Sequence, residues 1–220
     1  MKGIIFDQDG TMIDNMMVHH RAWQRILKEL GLDMLIEEVM EKVHGINEEI
    51  LQRLFGDKYT LEERQRISRE KEAEYREIYR PQLKLVDGLD IFLKEAKANG
   101  ILMGVATAAP PENMDFVLDG LNIRDLFKTT LNAHDVKRGK PDPEVYLKAA
   151  RALDLEPTEC IVFEDSPTGA RSAFNAGIPV IVVKTTHKEK DFEGIPVLRF
   201  INDFTEISFE RTKSETVFLN

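Results

Sequence analysis

The chain has 220 residues, of which 42% are hydrophobic and 31% charged, and its formal net charge is −9. This length accommodates one α/β domain, or a domain that carries a smaller insertion. The acidic balance argues against general nucleic-acid binding, which requires a basic face, although a local cluster of lysine and metal can still bind an anionic substrate. No stretch reaches the roughly 18 apolar residues that a membrane helix needs, so no membrane partner is expected.

Cysteine usage and the start of the sequence bear on the cellular compartment. The single cysteine, Cys160, lies in an apolar run and has no second cysteine with which to form an intramolecular disulfide. A buried thiol of this kind fits a reducing compartment. Met1 and Lys2 lead directly into an apolar run, without the longer hydrophobic segment of a secretory signal. These features predict a soluble cytoplasmic protein.

The first strand is predicted at the apolar run Ile4–Phe6, which stops at Asp7, Asp9 and Gly10. A buried strand reads as a continuous apolar run that ends at turn residues. Ligands of open α/β sheets bind just beyond the carboxyl ends of such strands. Two carboxylates there repel each other unless a cation lies between them, which indicates Mg²⁺. The alternative is an ordinary strand end, because Asp and Gly are common turn residues.

The segment between Asn15 and Arg80 has helical spacing, and nothing in it resembles a strand. Helices are predicted at Asn15–Leu30, at Leu35–Val43, after Asn47 and at Thr60–Tyr79. The last of these opens with Thr-Leu-Glu-Glu, a capping box. Its many charges indicate a solvated face rather than a contact surface. The first strand is therefore followed by an inserted block of helices.

The remainder of the chain alternates between helices and short apolar runs. Helices are predicted at Asp90–Asn99, Asn113–Leu121, Glu144–Leu153 and Pro167–Ala176, and strands at Ile101–Ala106, Thr129–Asn132, Cys160–Phe163 and Pro179–Val183. Such alternation is typical of right-handed βαβ units, which form a parallel sheet with helices on both faces. The tail after Ile201 is expected to contain one helix and then an irregular end.

Chemically active side chains follow several of the predicted strands. Beyond Asp7 and Asp9, these residues are Thr107, Lys140, Glu164 and Asp165. The carboxyl ends of parallel strands share one edge of the sheet, so residues far apart in sequence can meet there. Carboxylates, a hydroxyl and an ammonium are what phosphoryl transfer from a monoester needs. Each residue alone also has an ordinary structural interpretation as a strand end, a solvated lysine or a helix cap. Only their joint placement indicates a site.

Taken in order, these residues resemble the four motifs of the haloacid dehalogenase superfamily, and the resemblance covers nearly the whole chain. The first motif is similar to Asp7-Gln-Asp-Gly-Thr, the second to Thr107, the third to Lys140 in Gly-Lys-Pro-Asp-Pro, and the fourth to Glu164-Asp165-Ser-Pro-Thr-Gly. The resemblance implies an α/β, Rossmann-like parallel-sheet core at residues 1–15 and 81–220. It also implies an inserted all-helical cap at residues 16–80, as in the β-phosphoglucomutase and phosphatase branch.

The resemblance also implies roles. Asp7 would be the nucleophile that forms an aspartyl-phosphate, and Asp9 would move the proton. Catalytic or phosphoryl-binding roles would fall to Thr107, Ala108, Lys140 and Gly10. Mg²⁺ would be held by Asp7, by Asp9 through its backbone carbonyl and by Asp165, with Glu164 nearby. Substrate-binding residues of the cap would be His19, Trp23, His44 and Gly45.

Two cap positions distinguish a phosphatase from a mutase. Glu48 stands where the similar mutase has an arginine for the second phosphate, and Glu77 stands where it has a lysine. Carboxylates there would repel a bisphosphate, which favours hydrolysis of a small phosphorylated metabolite, most simply a sugar phosphate. The alternatives are a sugar-phosphate mutase, a binding protein without catalysis, and glutamates that merely face solvent. A monomer is expected, with a homodimer as the alternative.

Overall fold

The computed structural model describes residues 1–43, 45–211 and 216–219, and side chains within 1–43 and 45–209. The chain divides into two compact units. The core unit comprises Met1–Asp14 and Leu83–Asn220, and the helical unit comprises Asn15–Gln82. In sequence, the helical unit is therefore an insertion between the first strand of the core unit and the rest of that unit.

The core unit is built on a parallel sheet, which within the described residues has six strands. They are β1 (Gly3–Phe6), β2 (Leu102–Ala106), β3 (Thr129–Leu131), β4 (Cys160–Glu164), β5 (Val180–Val183) and β6 (Arg199–Ile201). Their spatial order is β3-β2-β1-β4-β5-β6, and the neighbouring pairs run parallel. The strand order reverses between β1 and β4, and such a switch point is where open α/β sheets bind ligands.

The described residues also form eight α-helices, four in each unit. The helical unit contains α1 (Met16–Glu29), α2 (Ile36–Lys42), α3 (Asn47–Phe55) and α4 (Leu61–Tyr79). The core unit contains α5 (Leu89–Ala98), α6 (Pro111–Gly120), α7 (Glu144–Ala152) and α8 (Pro167–Asn175). The predicted helices and strands up to β5 are confirmed, with ends that differ by one or two residues.

Both faces of the sheet are buried, as the continuous apolar strands predict. On one face Phe6 packs among Phe92 of α5 and Phe163 of β4, and its ring centroid lies 5.3 Å from that of Phe163. On the other face Ile5 packs with Tyr146 of α7 and neighbouring residues of α8. Successive residues of a strand point to opposite faces, so β1 joins the two apolar clusters. The predicted α/β fold is therefore confirmed.

The helical unit has an apolar core of its own. Trp23 and Leu27 of α1 pack with Leu51 of α3 and Ile67 of α4. The predicted capping box begins α4. Thr60 accepts the N–H of Glu63 at 3.3 Å, and the Glu63 carboxylate accepts the N–H of Thr60 at 2.8 Å. Among the described residues 15–43 and 45–82, the structure has no strand, as predicted.

The C-terminal tail differs from the prediction. The run Arg199–Ile201 is a strand, and the expected helix after Ile201 is only the single turn Phe204–Glu206. The chain then forms two antiparallel strands, β7 (Ser208–Arg211) and β8 (Thr216–Leu219). The alternation of apolar Ile207 and Phe209 with polar neighbours is a period-two pattern, which favours a strand over a helix.

In the part of the chain that the structure describes, no helix is long and apolar enough to cross a bilayer.

Candidate active site

The motif carboxylates meet at the carboxyl edge of the sheet. Asp7 follows β1, and its N–H extends the sheet by donating to the carbonyl of Phe163 at 2.9 Å. Glu164 is the last residue of β4, one position further than predicted, and Asp165 follows it. Carboxylate oxygens of Asp7, Glu164 and Asp165 lie within 4.8 Å of one another, and all three residues are buried. The adjacent strands β1 and β4 therefore bring together carboxylates from distant parts of the sequence.

Lys140 places its ammonium between two of these carboxylates. Its Nζ is 2.6 Å from Asp7 Oδ1 and 2.7 Å from Glu164 Oε1, and the Lys140 side chain is only 8% exposed. The Nζ also lies 4.8 Å from the centre of the Tyr146 ring, over which a cation is attracted. Burial opposes the charged ammonium, but the carboxylates of Asp7 and Glu164 raise the pKa of Lys140 well above its usual value. Lys140 is therefore a cation at neutral pH.

Two hydrogen bonds from side chains of α8 hold the loop that carries Lys140. Asn175 donates to the carbonyl of Pro141 at 3.0 Å, and the hydroxyl of Ser172 donates to the carbonyl of Asp142 at 2.6 Å. These bonds hold the backbone directly after Lys140. The lysine is thus positioned by a helix that begins just after β4.

Glu164 is held by an unusually large number of donors. Its Oε1 accepts the hydroxyl of Tyr146 at 2.9 Å, in addition to the lysine ammonium. Its Oε2 accepts the N–H of Asp165 at 3.0 Å, the N–H of Ser166 at 2.9 Å and the Ser166 hydroxyl at 3.0 Å. A carboxylate offers about four lone-pair sites, so Glu164 has little accepting capacity left. A Cβ on Gly169 would lie 1.6 Å from Oε1, which shows how closely α8 approaches this carboxylate.

The site carries more negative than positive charge. Burial raises the pKa of Asp7 to about 7, and Lys140 opposes the shift. Burial and the neighbouring Glu164 and Asp7 carboxylates raise the pKa of Asp165 well above its usual value. By contrast, Lys140 and the Ser166 N–H outweigh burial and lower the pKa of Glu164. A divalent cation beside Asp7 and Asp165 would remove this electrostatic conflict.

Asp9 lies beside this group rather than within it. Asp9 is partly exposed, and Gln8 donates its amide to Asp9 Oδ1 at 3.2 Å. The three-carboxylate group described above does not include the Asp9 side chain. Gly10 has a φ of +80°, and a Cβ there would lie 2.1 Å from Asp165 Oδ2. The turn therefore requires glycine both for its conformation and for its approach to Asp165.

Thr107 and Ala108 follow β2 at the same edge. Thr107 is 2% exposed, and its N–H donates to the carbonyl of Leu131 at 3.0 Å. Its hydroxyl oxygen accepts the N–H of Ala109 at 3.0 Å, which leaves the hydroxyl proton to be donated. Ala108 is exposed. Because β2 pairs directly with β1, the ends of these strands are adjacent.

The residues of the helical unit that were predicted to bind or select the substrate differ in how exposed they are. Trp23 is 3% exposed within the apolar core of this unit, and Gly45 is exposed. His44 lies outside the described residues. The Glu77 side chain is 70% exposed and pairs with Arg80 at 3.1 Å, as the solvent-facing alternative predicts.

His19 lies in a buried polar cluster that the sequence did not reveal. The Nζ of Lys71 is 2.8 Å from His19 Nδ1 and 2.8 Å from Glu72 Oε1. The ring of His19 stacks on that of Tyr75 at 3.8 Å, and burial together with Lys71 lowers the pKa of His19 to about 3. His19 is therefore neutral and accepts from the lysine. Lys71 falls between Ile67 and Tyr75 at four-residue spacing, so the buried face of α4 was the signal that could have found it.

Comparison of this chain with known proteins identifies its family. The family model described as haloacid dehalogenase-like hydrolase matches residues 1–177. The chain belongs to this family. Haloacid dehalogenase-like relatives include the phosphorylated carbohydrates phosphatase of Thermotoga maritima, which is 31% identical over 81% of this chain and 82% of the relative. The β-phosphoglucomutase of Bacillus subtilis is also 31% identical, over 81% of each chain.

A solved structure shows the same haloacid dehalogenase fold. The crystal structure of a HAD hydrolase of family IA, variant 3, from Entamoeba histolytica matches with a TM-score of 0.87 at 26% identity. The match covers 94% of this chain and 96% of the other. The family and fold predicted from the motifs are therefore confirmed. The phosphatase and the mutase are equally similar to this chain, so the choice between these activities rests on the residues.

Proposed function

We propose that this protein is a Mg²⁺-dependent phosphatase that hydrolyses a small phosphomonoester, a sugar phosphate, through an aspartyl-phosphate. The observation that supports this proposal most directly is the buried Asp7 carboxylate, 2.6 Å from Lys140 and grouped with Asp165. An accessible oxygen of such a carboxylate can attack phosphorus while an ammonium neutralises the phosphoryl charge. The phosphatase relative from Thermotoga maritima, named for phosphorylated carbohydrates, supports the substrate class.

The residues present fit Mg²⁺. Mg²⁺ prefers carboxylate, carbonyl and water oxygens, and it usually takes only one or two carboxylates from the protein. Asp7 and Asp165 offer these, whereas the oxygens of Glu164 are already bonded to five donors. We therefore propose Asp7 and Asp165 as ligands, with Glu164 as a support. The family resemblance adds the backbone carbonyl of Asp9 as a third ligand. Bound Mg²⁺ would neutralise charge on the phosphoryl oxygens.

The proposed reaction uses two aspartates in succession. An oxygen of Asp7 bonds to phosphorus as the bond from phosphorus to the ester oxygen breaks, and Asp9 gives its proton to that oxygen. Asp9 then takes a proton from water, whose oxygen attacks phosphorus and releases Asp7 and inorganic phosphate. Lys140 and the hydroxyl of Thr107 hold the phosphoryl oxygens during both steps. The backbones of Gly10 and Ala108 are proposed to lie beside the same phosphoryl oxygens.

The mutase remains the second candidate, because a β-phosphoglucomutase is as similar as the phosphatase. Glu48 favours the phosphatase, because it stands where the similar mutase has an arginine for the second phosphate, and a carboxylate at that position would repel such a phosphate. The argument from Glu77 is weaker, since its side chain faces solvent and pairs with Arg80. Assignments of substrate binding to His19, Trp23, His44 and Gly45 stay predictions.

A panel of phosphomonoesters tests the proposal. The expected result is release of inorganic phosphate from sugar monophosphates, dependent on Mg²⁺ and independent of any bisphosphate. Asp7→Asn is the inactive control, because it removes the nucleophile while preserving the size of the side chain. Isomerisation of glucose 1-phosphate without net phosphate release, and only with added bisphosphate, would establish the mutase instead. Binding of the esters without turnover would contradict both activities.

A further inference from the structure

A glutamine lies between the two aspartates of the first motif. Gln8 is fully buried, whereas Asp9 is partly exposed. The side-chain amide of Gln8 donates to Asp9 Oδ1 at 3.2 Å. An ionised carboxylate only accepts hydrogen bonds, so the NH₂ group of the amide must be the end that faces Asp9. Gln8 is therefore a donor to the residue that moves the proton in the proposed reaction.

The buried amide of Gln8 is only partly satisfied. Among the residues that the structure describes, Gln8 Oε1 has no hydrogen-bond partner. A buried carbonyl oxygen without a partner costs free energy, and an apolar side chain of similar shape would avoid that cost. Packing alone therefore does not explain a glutamine at this position, whereas a bond that orients Asp9 does.

The backbone from which the Gln8 side chain extends is held in place by the turn after β1. The carbonyl of Gln8 accepts three N–H groups of that turn. The donors are Met12 at 2.8 Å, Thr11 at 3.3 Å and Ile13 at 3.3 Å. A side chain on a fixed backbone can hold its partner in a defined position. The Gln8 amide therefore reaches Asp9 from a rigid support.

A carboxylate that transfers a proton must point in one direction. A partly exposed aspartate can adopt several staggered rotamers, and a general acid must lie within hydrogen-bond reach of the atom that receives its proton. Burial does not select the rotamer of Asp9, because its side chain is partly exposed. The bond from Gln8 holds Oδ1 and so restricts rotation of the carboxylate.

We propose that Gln8 is a positioning residue that orients Asp9 for proton transfer. The inference rests on the proposed function, in which Asp9 protonates the ester oxygen and then takes a proton from water. Positioned acids and bases contribute about 10²- to 10⁴-fold to the rate of a reaction. Loss of the orienting bond leaves the carboxylate in place, so it should remove a part of that factor, about 10-fold. The loss should affect only the steps in which Asp9 transfers a proton.

Two aryl phosphates with different leaving groups test this role. Phenyl phosphate releases a basic phenolate that needs a proton, whereas 4-nitrophenyl phosphate releases a leaving group that departs without one. With Mg²⁺ present and enzyme in excess over ester, rapid mixing measures release of the phenol, which reports the first step alone. The variant is Gln8→Met, because methionine keeps the length of the side chain and removes both amide groups. Gln52→Met is the matched control, since Gln52 also donates its amide to an aspartate, Asp57, at 3.0 Å.

The expected result is a difference between the two esters. Gln8→Met should release phenol from phenyl phosphate about 10-fold more slowly than the wild type. It should release nitrophenolate at the wild-type rate and then hydrolyse the phosphoenzyme more slowly. Gln52→Met should match the wild type with both esters. In urea unfolding, Gln8→Met should be at least as stable as the wild type, because the unsatisfied buried oxygen is gone.

A double substitution separates an effect through Asp9 from any other effect. In the Asp9→Asn background, Gln8→Met should not slow phenol release further, because the bond then has no proton transfer to support. Full additivity of the two substitutions would overturn the inference. Equal slowing of both esters in Gln8→Met, with lower stability, would show a purely structural role and would overturn it as well.

Wild-type rates with both esters in Gln8→Met would also overturn the inference. If the methionine variant fails to fold, Gln8→Leu removes the same amide, and the same comparison of esters applies. A wild type that transfers a phosphoryl group from neither ester would contradict the proposed function and this inference with it. An active wild type with an unaffected Gln8 variant would contradict the inference alone.

Discussion

Replacement of Asp7 by asparagine should make the metal-free protein more stable at alkaline pH than the wild type. Asp7 is buried, and its pKa is about 7 in the folded state against an ordinary value of 3.8. Asn preserves the size of the side chain and removes its titration. Lys140 keeps Glu164 as a partner at 2.7 Å, so the substitution does not leave a buried ammonium unpaired. The variant therefore isolates the free energy of ionising Asp7.

The direction in which stability changes with pH follows from the protons bound by the folded and unfolded chains. Between pH 3.8 and about pH 7 the folded wild type binds more protons at Asp7 than the unfolded chain, so its stability falls as pH rises. With these two pKa values, the ionisation of Asp7 costs the folded state about 2 to 3 kcal/mol more at about pH 8 than at about pH 5. The stability of Asp7→Asn relative to the wild type should rise by that amount across the same interval.

Urea unfolding followed by circular dichroism, with a chelator present, measures this difference at each pH. Addition of Mg²⁺ to the wild type should flatten its pH dependence, since a bound cation favours the ionised carboxylate. The asparagine variant should respond much less to Mg²⁺. A difference between wild type and Asp7→Asn that stays constant with pH would refute the conclusion that burial raises the pKa of Asp7.

Three further substitutions probe other parts of the structure. Gly169→Ala should lower stability by about 1–3 kcal/mol and weaken Mg²⁺ binding, because the added Cβ would lie 1.6 Å from Glu164 Oε1 and displace it. Lys71→Met should cost about 3–5 kcal/mol by leaving the buried Glu72 without its ammonium at 2.8 Å, and added Glu72→Gln should recover part of the loss. Glu48→Arg should raise kcat/KM for sugar bisphosphates relative to monophosphates, because it reverses the charge that repels a second phosphate.

Each of these three substitutions has its own control or its own contradicting result. Gly139→Ala is the control for Gly169, since a Cβ there would meet nothing within 4 Å. Additive effects of the Lys71 and Glu72 substitutions in urea unfolding would show that the two charges are not coupled. For Glu48→Arg, an unchanged preference in the substrate panel would support the alternative that this glutamate simply stabilises the first turn of its helix.

The fold could be predicted from the sequence where a run of apolar residues indicated a buried strand. The apolar runs of β1, β2 and β4 were predicted as buried strands, the alternation with helices predicted that they run parallel, and parallel strands align their carboxyl ends. Asp7 and Asp165 could therefore be assigned to one sheet edge before any coordinates. The motif order also identified the family, which the family model and the structural match confirm. The catalytic roles of individual residues stay predictions.

The partners of individual buried side chains and the structure of the C-terminal tail could not be predicted, because they depend on three-dimensional packing that local sequence does not encode. The four-residue spacing of Lys71 from Ile67 and Tyr75 indicates a buried position, but its partner His19 lies on another helix, and local sequence does not encode that contact. Tyr146 resembled an ordinary core aromatic, although its hydroxyl bonds Glu164 at 2.9 Å. In the tail, Phe209 stacks on Phe92 at 4.7 Å, and this long-range contact accompanies the strand where a helix was expected.

The phosphoenzyme itself is the most direct test of the account. Asp9→Asn should still accept a phosphoryl group from 4-nitrophenyl phosphate, whose leaving group departs without a proton, but it should hydrolyse the product slowly. Rapid mixing with Mg²⁺ should give a burst of nitrophenolate equal to the enzyme present, and mass spectrometry should find one phosphoryl group on the peptide that contains Asp7. A phosphoryl group on a different residue would contradict the claim that Asp7 is the nucleophile, and steady turnover without a burst would contradict the role of Asp9 in the second step.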